Sequence, residues 1–306
     1  MQGIVYRYMI RLMNGVFWFF LNHTYKWWPD AMWLKVLYRL KLHRKLNLKE
    51  PQRFTEKLNW LKLHDHNPLY TRLVDKYEVK QYIKEKLGEQ MVIPSYGVWE
   101  HFDDIEFDKL PNQFVLKCTH DSGRFCICRD KTTFDMEGAR QKLEYSLKNN
   151  FFWWTREWPY KNVKPRILAE KFMVNDGSDA LTDYKFFCFN GVPKMMYISK
   201  DVSANPRTDF FDMEWNHLPF RMKDANAEVL PPMPESFEEM RDIAVRLSRG
   251  IPHVRVDLYV INGMIYFGEM TFFHNSGIFS VTPDEWDYKI GEWLDLSICK
   301  NGKILA

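Results

Sequence analysis

The sequence lacks the cysteine patterns of a disulfide framework or a structural zinc site. Its five cysteines are an odd number and include no C-x-x-C pair. We therefore expect a reducing, cytoplasmic environment. Long apolar runs are also lacking, because the longest one near the start, residues 15–21, falls far short of the ~20 residues that span a bilayer. No small-residue cleavage site follows it, so we expect neither a membrane span nor a signal peptide.

Glycine is scarce where nucleotide-binding loops usually need it. The polar loop at residues 119–124 contains a single glycine, Gly123, beside Ser122. It matches neither the P-loop nor the dinucleotide-binding fingerprint. Lys117 lies on an apolar strand directly before this loop, and a lysine beside free backbone N–H groups is typical of a phosphate site. The alternative is an ordinary hairpin whose lysine points to water.

The charge is unevenly distributed, although the formal net charge is only +3. Residues 1–49 contain nine Lys or Arg and one Asp, a net charge of +8, interspersed with Trp, Tyr and Phe. One interpretation is an interfacial helix on an anionic membrane, at the inner face of the plasma membrane. The other is a helical pair that packs its aromatic face on the body. In either case an anionic partner other than nucleic acid is expected for the basic residues.

The residues that alternate most regularly are 253–275. Apolar and polar residues alternate up to Asn262-Gly263 and return after it, which predicts a β-hairpin. A three-residue loop would pair Val260 with Met264. It would leave an exposed polar face, with Val256, Leu258, Tyr266 and Met270 on the core face and Arg255, Asp257, Glu269 and Thr271 on the exposed one.

Two carboxylates at this spacing suit Mg²⁺, which prefers oxygen ligands and bound phosphate. The competing interpretation is a cross-strand ion pair between Arg255 and Glu269 on a solvated face. Upstream, the pattern predicts a compact β-β-α-β unit over residues 111–173, in which Glu170 ends the last strand. The spacing of Phe54, Leu58 and Leu61 predicts a helix within residues 51–67, before Pro68. A single helix ending at Gly88, a hairpin around Asn190-Gly191 and a helix over 237–249 are also predicted.

The order of these features resembles the ATP-grasp fold, and more closely the TupA-like (teichuronopeptide biosynthesis) ATP-grasp family of cell-surface polysaccharide loci. The similarity extends over nearly the whole chain from about Leu37. It rests on the segments FTEKLNWLKL, LVDKYEVKQYI, LPNQFVLKCTHDSG, ILAEKFM, DYKFFCFNG and RVDLY…YFGEMTF. The resemblance implies an α+β fold of two subdomains with ATP between them, preceded by the basic, aromatic-rich helical region. The expected divisions are residues 1–50 for this arm, 51–110 for a helical connector, 111–173 for the lid subdomain and 174–306 for the subdomain with the metal site.

The resemblance also implies roles for individual residues. ATP phosphates would contact Lys76, Lys117, Ser122 and Gly123, and the adenine hinge would be Glu170, Lys171, Phe172 and Met173. Asp183 would lie near the ribose, Lys185 near phosphate or substrate, and Arg255 would stabilise developing negative charge. Mg²⁺ would be held by Asp257 and Glu269, with Thr271 where the family usually has Asn, and Asn275 from the following loop.

The implied activity is an ATP-dependent ligase that joins an amine or amino acid to a carboxyl group through an acyl phosphate. Its acceptor would be a carboxylated sugar or glycan of the cell surface. Two other classes remain open on the sequence alone. One is a glycosyltransferase of the same pathway, although no D-x-D run ends a clear strand. The other is a non-catalytic scaffold for membrane assembly, supported only by residues 1–49.

Overall fold

The computed structural model describes residues 24–175, 181–200 and 207–300. Four helices come first along these ranges, mixed helices and strands follow, and short 3₁₀ turns connect several of them. The helices are α1 (Asp30–Leu42), α2 (Phe54–His64), α3 (Leu69–Val74), α4 (Glu78–Leu87), α5 (Met136–Lys148), α6 (Phe152–Thr155), α7 (Phe237–Ser248), α8 (Glu285–Trp293) and α9 (Ser297–Lys300). The strands are β1 (Ser95–Trp99), β2 (Phe114–Cys118), β3 (Phe125–Cys128), β4 (Ile167–Lys171), β5 (Thr182–Phe189), β6 (Val192–Lys200), β7 (Asp209–Phe211), β8 (His217–Leu218), β9 (Arg221–Met222), β10 (His253–Ile261), β11 (Met264–Thr271) and β12 (Val281–Thr282).

A four-stranded antiparallel sheet forms the smaller layer, in the order β1-β4-β2-β3. Helix α5 covers it, burying Ala139 and Leu143 against a core that includes Phe114 and Leu116. The predicted β-β-α-β unit is therefore confirmed. Strand β1 comes from the segment before this unit and pairs with β4 at the edge of the sheet. Glu170 and Lys171, at the end of β4, thereby lie between β1 and β2.

A six-stranded antiparallel sheet forms the larger layer, in the order β11-β10-β5-β6-β7-β8. Helix α7 packs on one face because its apolar residues recur every three or four positions and are all buried: Phe237, Met240, Ile243, Ala244 and Leu247. The predicted hairpin between β5 and β6 is confirmed. Asn190 and Gly191 both have positive φ, 51° and 80°, as a two-residue turn requires.

The β10–β11 hairpin differs from the predicted one in its turn. Ile261 pairs with Met264, so the loop has two residues, not three, and Val260 does not pair with Met264. Asn262 and Gly263 have φ of 49° and 78°, which matches the right-handed twist of the strands. The preference for a three-residue loop was wrong, because it assumed a regular ladder along the whole hairpin.

A β-bulge at Gly268 places Asp257 and Glu269 on the same face, which the longer loop was meant to explain. Leu258 pairs with Phe267, whereas the next residue back, Asp257, pairs with Glu269. A side chain at position 268 would place its Cβ only 2.9 Å from the Asp257 carbonyl oxygen, so glycine is required there. The bulge also corrects the prediction for Tyr266, which pairs with Tyr259 and does not share the core face.

The helix predicted to end at Gly88 is two helices, because the chain breaks between α3 and α4. The carboxylate of Asp75 accepts hydrogen bonds from the backbone N–H of Tyr77 (2.8 Å) and Glu78 (3.2 Å), and so starts α4. Arg166 donates to the other oxygen of Asp75 at 2.8 Å. Lys76 therefore lies in a break between helices, where its side chain can leave the helical row.

The described part of the N-terminal region packs on the body. In α1, Trp33 and Leu37 are fully buried, and the indole N–H of Trp33 donates to the carbonyl oxygen of Trp154 at 2.8 Å. This is the packing alternative for residues 24–49. Residues 1–23 of the predicted arm lie outside the described residues. None of the helices in the described ranges is long and apolar enough to cross a membrane.

We expect Trp33→Ala to lower the free energy of unfolding by about 3–5 kcal/mol, because it removes a fully buried indole. The matched control is Trp27→Ala, six residues earlier, where the side chain is 83% exposed and the expected change is within about 0.5 kcal/mol. Urea unfolding of both variants measures the difference. Equal stability of the two variants would mean that α1 is not part of the core.

Candidate active site

A cleft of about 580 Å³ separates the two sheets, a size suited to a small-molecule ligand. Its upper wall comes from β2, β3 and β4, and its floor comes from the six-stranded sheet. One end is walled by apolar side chains, namely Val74, Val92, Ile93, Val115, Ile127, Phe267 and Met270. The predicted residues that line the cleft are Lys76, Lys117, Glu170, Lys171, Phe172, Met173, Asp183, Glu269 and Asn275.

Three lysines converge on this apolar end. Lys117 and Lys80 form ion pairs with the two oxygens of the buried Glu170, at 2.5 Å and 2.7 Å. Lys76 donates to the carbonyl oxygen of Asp121. The group, which we call the lysine cluster (Lys76, Lys80, Lys117 and Glu170), has one negative and three positive charges, so it carries an excess of positive charge.

The protonation of the lysine cluster is set by burial and by its internal pairs. Burial raises the pKa of Glu170, but the ammonium groups of Lys117 and Lys80 outweigh burial and hold that pKa below its usual value. Burial lowers the pKa of Lys80 and of Lys76. Glu170 is thus a carboxylate that gathers two ammonium groups beside the cleft.

Glu170 was assigned to the adenine hinge because it ends an apolar strand. The structure shows that its side chain is committed to the two lysines. The residues after it, Phe172 and Met173, continue along the cleft without a strand. Lys171 pairs with Phe114 across the sheet, and its N–H donates to Pro94.

A second charged group surrounds Arg255 on β10. Its Nε and one terminal nitrogen donate to the two oxygens of Asp257, at 2.6 Å and 2.7 Å, and the same terminal nitrogen donates to Glu269 at 2.9 Å. The ammonium of Lys185 on β5 donates to Asp257 at 2.6 Å and lies 3.1 Å from Asp183. The ion pair between Arg255 and Glu269 therefore exists, and it holds two carboxylates side by side, whereas Mg²⁺ binding stays a prediction.

This face is not the exposed sheet surface that the sequence predicted. Asp257 is 0% exposed and Arg255 is buried, whereas the side chain of Glu269 is 48% exposed and lines the cleft. Burial raises the pKa of Glu269, but Arg255, Lys185 and Lys76 reverse this and lower it to about 2. Glu269 is therefore ionised at neutral pH and directed to the cleft.

The carboxylates keep acceptor capacity for a metal ion. Asp257 receives one hydrogen bond at Oδ1 and two at Oδ2, and the bonds to Glu269, from Arg255 and Thr271, both reach Oε1. Since a carboxylate has about four acceptor positions, Oδ1 of Asp257 and Oε2 of Glu269 can each accept a further ligand. Among the described residues no group of three His, Cys, Asp or Glu forms a metal site. This donor set fits Mg²⁺ held by one or two carboxylates together with phosphate oxygens.

The predicted phosphate loop lies away from the cleft wall. Ser122 and Gly123 are exposed, and neither lines the cleft. Gly123 has a φ of 78°, which only glycine adopts freely. Asp121 anchors the loop, since its side chain accepts from the Ser122 N–H (2.7 Å) and the Ser146 hydroxyl (2.6 Å).

A left-handed turn follows β11 and brings His274 and Asn275 to the cleft. Three consecutive residues have positive φ: Asn275 at 49°, Ser276 at 52° and Gly277 at 58°. Left-handed backbone costs roughly 1–2 kcal/mol per non-glycine residue, so the surrounding structure must hold it.

Buried polar groups from α2 and the segment after α6 hold this turn. The ammonium of Lys62 donates to the carbonyl oxygens of Ser276 and Thr155, both at 2.8 Å. The Ser276 hydroxyl donates to Glu157 at 2.5 Å, and the amide of Asn59 donates to the Gly277 carbonyl oxygen at 2.8 Å. We call Asn59, Lys62, Glu157 and Ser276 the turn support.

Sequence reasoning missed Lys80, His274, Lys223 and the turn support. Lys80 lies four residues after Lys76 in a helix rich in lysine, where charges are usually solvated. His274 has no motif of its own, and Lys223 follows a two-residue strand. The only available signal was the left-handed preference of Asn and Gly in the H-N-S-G segment.

The fold and the cleft together define the class of protein. Two antiparallel sheets enclose a cleft with lysines above it and an Arg-x-Asp…Glu hairpin below it, which is the arrangement of an ATP-grasp protein. The model of the family described as TupA-like ATPgrasp matches residues 56–295, and the chain belongs to that family. The family predicted from the sequence is thus confirmed, and with it the ATP-grasp fold.

Solved structures of ATP-grasp proteins show distant similarity. D-alanine–D-alanine ligase from Bacillus anthracis complexed with ATP is 16% identical, with a TM-score of 0.41 over 66% of this chain and 55% of that one. The ATP-grasp ligase PsnB complexed with minimal precursor, Mg and ADP is 11% identical (TM-score 0.39, 71% and 57%). N5-carboxyaminoimidazole synthetase from Staphylococcus aureus complexed with ADP is 13% identical (TM-score 0.36, 65% and 43%). The chain spans less than two thirds of each. No curated protein sequence matched.

The turn support predicts a pH effect. Burial raises the pKa of Glu157 from 4.5 to about 7, although Lys62 and the Ser276 hydroxyl oppose the rise. At a pH between these two pKa values, Glu157 is protonated more often in the folded state than in the unfolded state. The free energy of unfolding therefore falls as pH rises through this range. Glu157→Gln removes this titration and keeps an oxygen for the Ser276 hydroxyl.

The measurement is the difference in unfolding free energy, wild type minus Glu157→Gln, from urea titrations between about pH 5 and pH 7. We expect this difference to decrease as pH rises. A difference that stays constant or increases across the range would show that Glu157 is already ionised in the folded protein at pH 5.

Proposed function

We propose that the protein is an ATP-dependent carboxylate–amine ligase that works through an acyl phosphate. Its acceptor is a carboxylated sugar of a bacterial cell-surface polysaccharide of capsular or teichuronic type, and its donor is an amino acid or another amine. The observation that carries the proposal is that the lysine cluster and Glu269, which Arg255 holds beside Asp257, line the same cleft in a member of an ATP-grasp family.

ATP fits the end of the cleft that holds the lysine cluster. The apolar side chains there suit the adenine ring, with Phe172 and Met173 as its hinge and Asp183 near the ribose. Lys76, Lys80 and Lys117 supply the positive charge that a triphosphate requires. Ser122 and Gly123 belong to the loop that Lys76 tethers through Asp121, but they do not line the cleft, so the phosphates are assigned to the three lysines.

Mg²⁺ would bind between Asp257 and Glu269, with Thr271 beside them, and it would offset charge on the phosphates of ATP. Arg255 remains paired with both carboxylates and would stabilise negative charge that develops on the transferred group. Lys185 neutralises Asp257 and Asp183 from the neighbouring strand.

The reaction requires activation because a carboxylate is a poor electrophile. A carboxylate oxygen of the acceptor attacks the γ-phosphorus of ATP, the bond to ADP breaks, and an acyl phosphate forms. The amine then attacks the acyl carbon and phosphate leaves, with loss of one proton. The four-stranded sheet covers the cleft and would limit hydrolysis of the acyl phosphate by water.

The other end of the cleft suits the acceptor. Polar side chains line it from β6, from the residue before β7 and from the turn after β9, namely Tyr197, Ser199, Thr208, Lys223 and Asp224. Hydroxyl and ammonium groups of this kind can bind the hydroxyls and the carboxylate of an acidic sugar.

The basic N-terminal region suits an anionic membrane surface on the cytoplasmic side, where lipid-linked glycans would be modified. The net charge of +8 over residues 1–49 supports this, since each Lys or Arg near such a surface contributes about 1 kcal/mol. Because α1 packs on the body, membrane contact would involve exposed residues in α1 and in the turn before it, such as Lys35 and Trp27.

We expect Lys80→Met to weaken Mg-ATP binding by about 10–100-fold, the effect of losing one charge-assisted interaction. The variant leaves Glu170 with one ammonium partner and lowers the positive charge of the lysine cluster. Lys84→Met, one helical turn further along α4, is the control, because Lys84 pairs only with the exposed Glu89. Calorimetry at fixed Mg²⁺ measures both. Unchanged affinity in a folded Lys80→Met would remove the lysine cluster from the ATP site.

The activity itself can be tested by trapping. Incubation with Mg-ATP, hydroxylamine and a panel of uronic acids should give ADP together with a hydroxamate, because hydroxylamine intercepts an acyl phosphate. Asp257→Asn and Glu269→Gln should abolish both products and stay folded. If no uronic acid yields hydroxamate and a nucleotide sugar is consumed instead, the glycosyltransferase alternative is correct.

A further inference from the structure

The hydrogen bonds of His274 determine how Asn275 can act. The guanidinium of Arg255 is only a donor, and its terminal nitrogen lies 2.7 Å from Nδ1 of His274. Nδ1 must therefore accept this bond. An imidazole that accepts at Nδ1 carries its proton at Nε2, so Nε2 is a donor.

The side-chain amide of Asn275 lies against that donor. Its nitrogen position is 3.0 Å from Nε2 of His274. Two N–H groups cannot bond to each other, and the two ends of an amide are assigned from their hydrogen-bond partners. The partner of Nε2–H is therefore the amide oxygen, which leaves the NH₂ group of Asn275 for the cleft that the residue lines.

We propose that Asn275 is a hydrogen-bond donor to an oxygen of the bound acceptor, and not a metal ligand. The proposal rests on the function proposed above. An amide binds Mg²⁺ through its oxygen, and the hydrogen bond from His274 turns that oxygen towards the imidazole and the NH₂ group towards the cleft. The NH₂ group suits an oxygen of the acceptor carboxylate or of the acyl group formed from it.

His274 is the positioning residue in this arrangement. It connects Arg255, which is fixed by Asp257 and Glu269, to the amide of Asn275. The turn support holds the left-handed backbone, so that the amide is presented without rearrangement. Preorganised donors of this kind are effective because they require no reorientation during the reaction.

The first test does not depend on any activity. In protein labelled with ¹⁵N-histidine, the His274 signals, identified by their loss in His274→Gln, should show an unprotonated Nδ1 and a protonated Nε2. This result supports the proposed amide orientation. A proton at Nδ1 of His274, or at both nitrogens, would overturn it.

The second test separates donor from metal ligand. Binding of ADP is measured at increasing Mg²⁺ concentration for wild type, Asn275→Ala, Asn275→Asp and the control Asn216→Ala, an exposed asparagine outside the cleft. We expect the Mg²⁺ concentration at half-maximal ADP binding, the Mg²⁺ requirement, to stay within twofold of the wild-type value in Asn275→Ala and Asn216→Ala. In Asn275→Asp an added carboxylate can only lower this concentration. A Mg²⁺ requirement raised tenfold or more in Asn275→Ala would make Asn275 a metal ligand and overturn the proposal.

The third test uses the acceptor that gives hydroxamate. Asn275→Ala should raise the KM for that acceptor or lower kcat by tenfold or more, with the KM for ATP unchanged. Asn216→Ala, at the exposed asparagine outside the cleft, should keep wild-type kinetics. Unchanged acceptor kinetics in Asn275→Ala would overturn the proposal. Failure of every acceptor would contradict the proposed function, and the first two tests would still decide the orientation and the metal role of Asn275.

Discussion

The buried guanidinium of Arg255 is the constraint around which this site is arranged. Removing a charged group from water costs several kcal/mol unless it is paired. Arg255 meets this requirement with Asp257, Glu269 and the imidazole of His274. Each partner comes from a different part of the chain, namely β10, β11 and the turn after β11. One cation thereby fixes the carboxylate pair and the residue that leads into the left-handed turn.

In the lysine cluster the buried charge is an anion, and it is stabilised by pairing with cations. Glu170 is buried at the end of β4 and is paired with one lysine from the same sheet and one from helix α4. The carboxylate thus connects the four-stranded sheet to the body of the protein. Lys76 adds a second connection, because its N–H donates to Thr119 and its ammonium donates to Asp121. The ion pairs of Glu170 and the hydrogen bonds of Lys76 therefore join the four-stranded sheet to the helical segment beside the cleft, where the proposed ATP would bind.

Much of the fold could be predicted from the sequence because its signals are local. Alternation marks β10 and β5, Asn-Gly pairs mark both hairpin turns, and helical spacing marks α7. That Asp257 and Glu269 share one face was also predicted, although from a wrong loop length, and their direct pairing was not predicted. The bulge at Gly268 has no local signal beyond one glycine in a strand. The break before Lys76 depends on Asp75 and on Arg166, which is distant in sequence.

The site was predictable only where a residue carries a family motif. Lys117, Asp257 and Glu269 stand in such segments, and all three lie at or beside the cleft. Lys80, Asn59 and Lys62 also lie in matched segments, but the resemblance assigned them no role, since a lysine in a charged helix and a buried lysine look alike in sequence. Lys62 is buried only because α2 packs against the segments that carry Thr155 and Ser276. Their importance arises from tertiary contacts between distant parts of the chain.

The bulge at Gly268 also separates the tip of the β10–β11 hairpin from the carboxylate pair. Four residue pairs, from Ile261 with Met264 to Leu258 with Phe267, lie between the turn and the bulge. These four pairs have a regular register of their own and separate the turn from the paired carboxylates. Lengthening a surface turn costs little, roughly 0.6 kcal/mol for each doubling. The Asn262-Gly263 turn is therefore a position where a fluorophore-binding peptide or an affinity tag could be inserted while Asp257 and Glu269 keep their pairing.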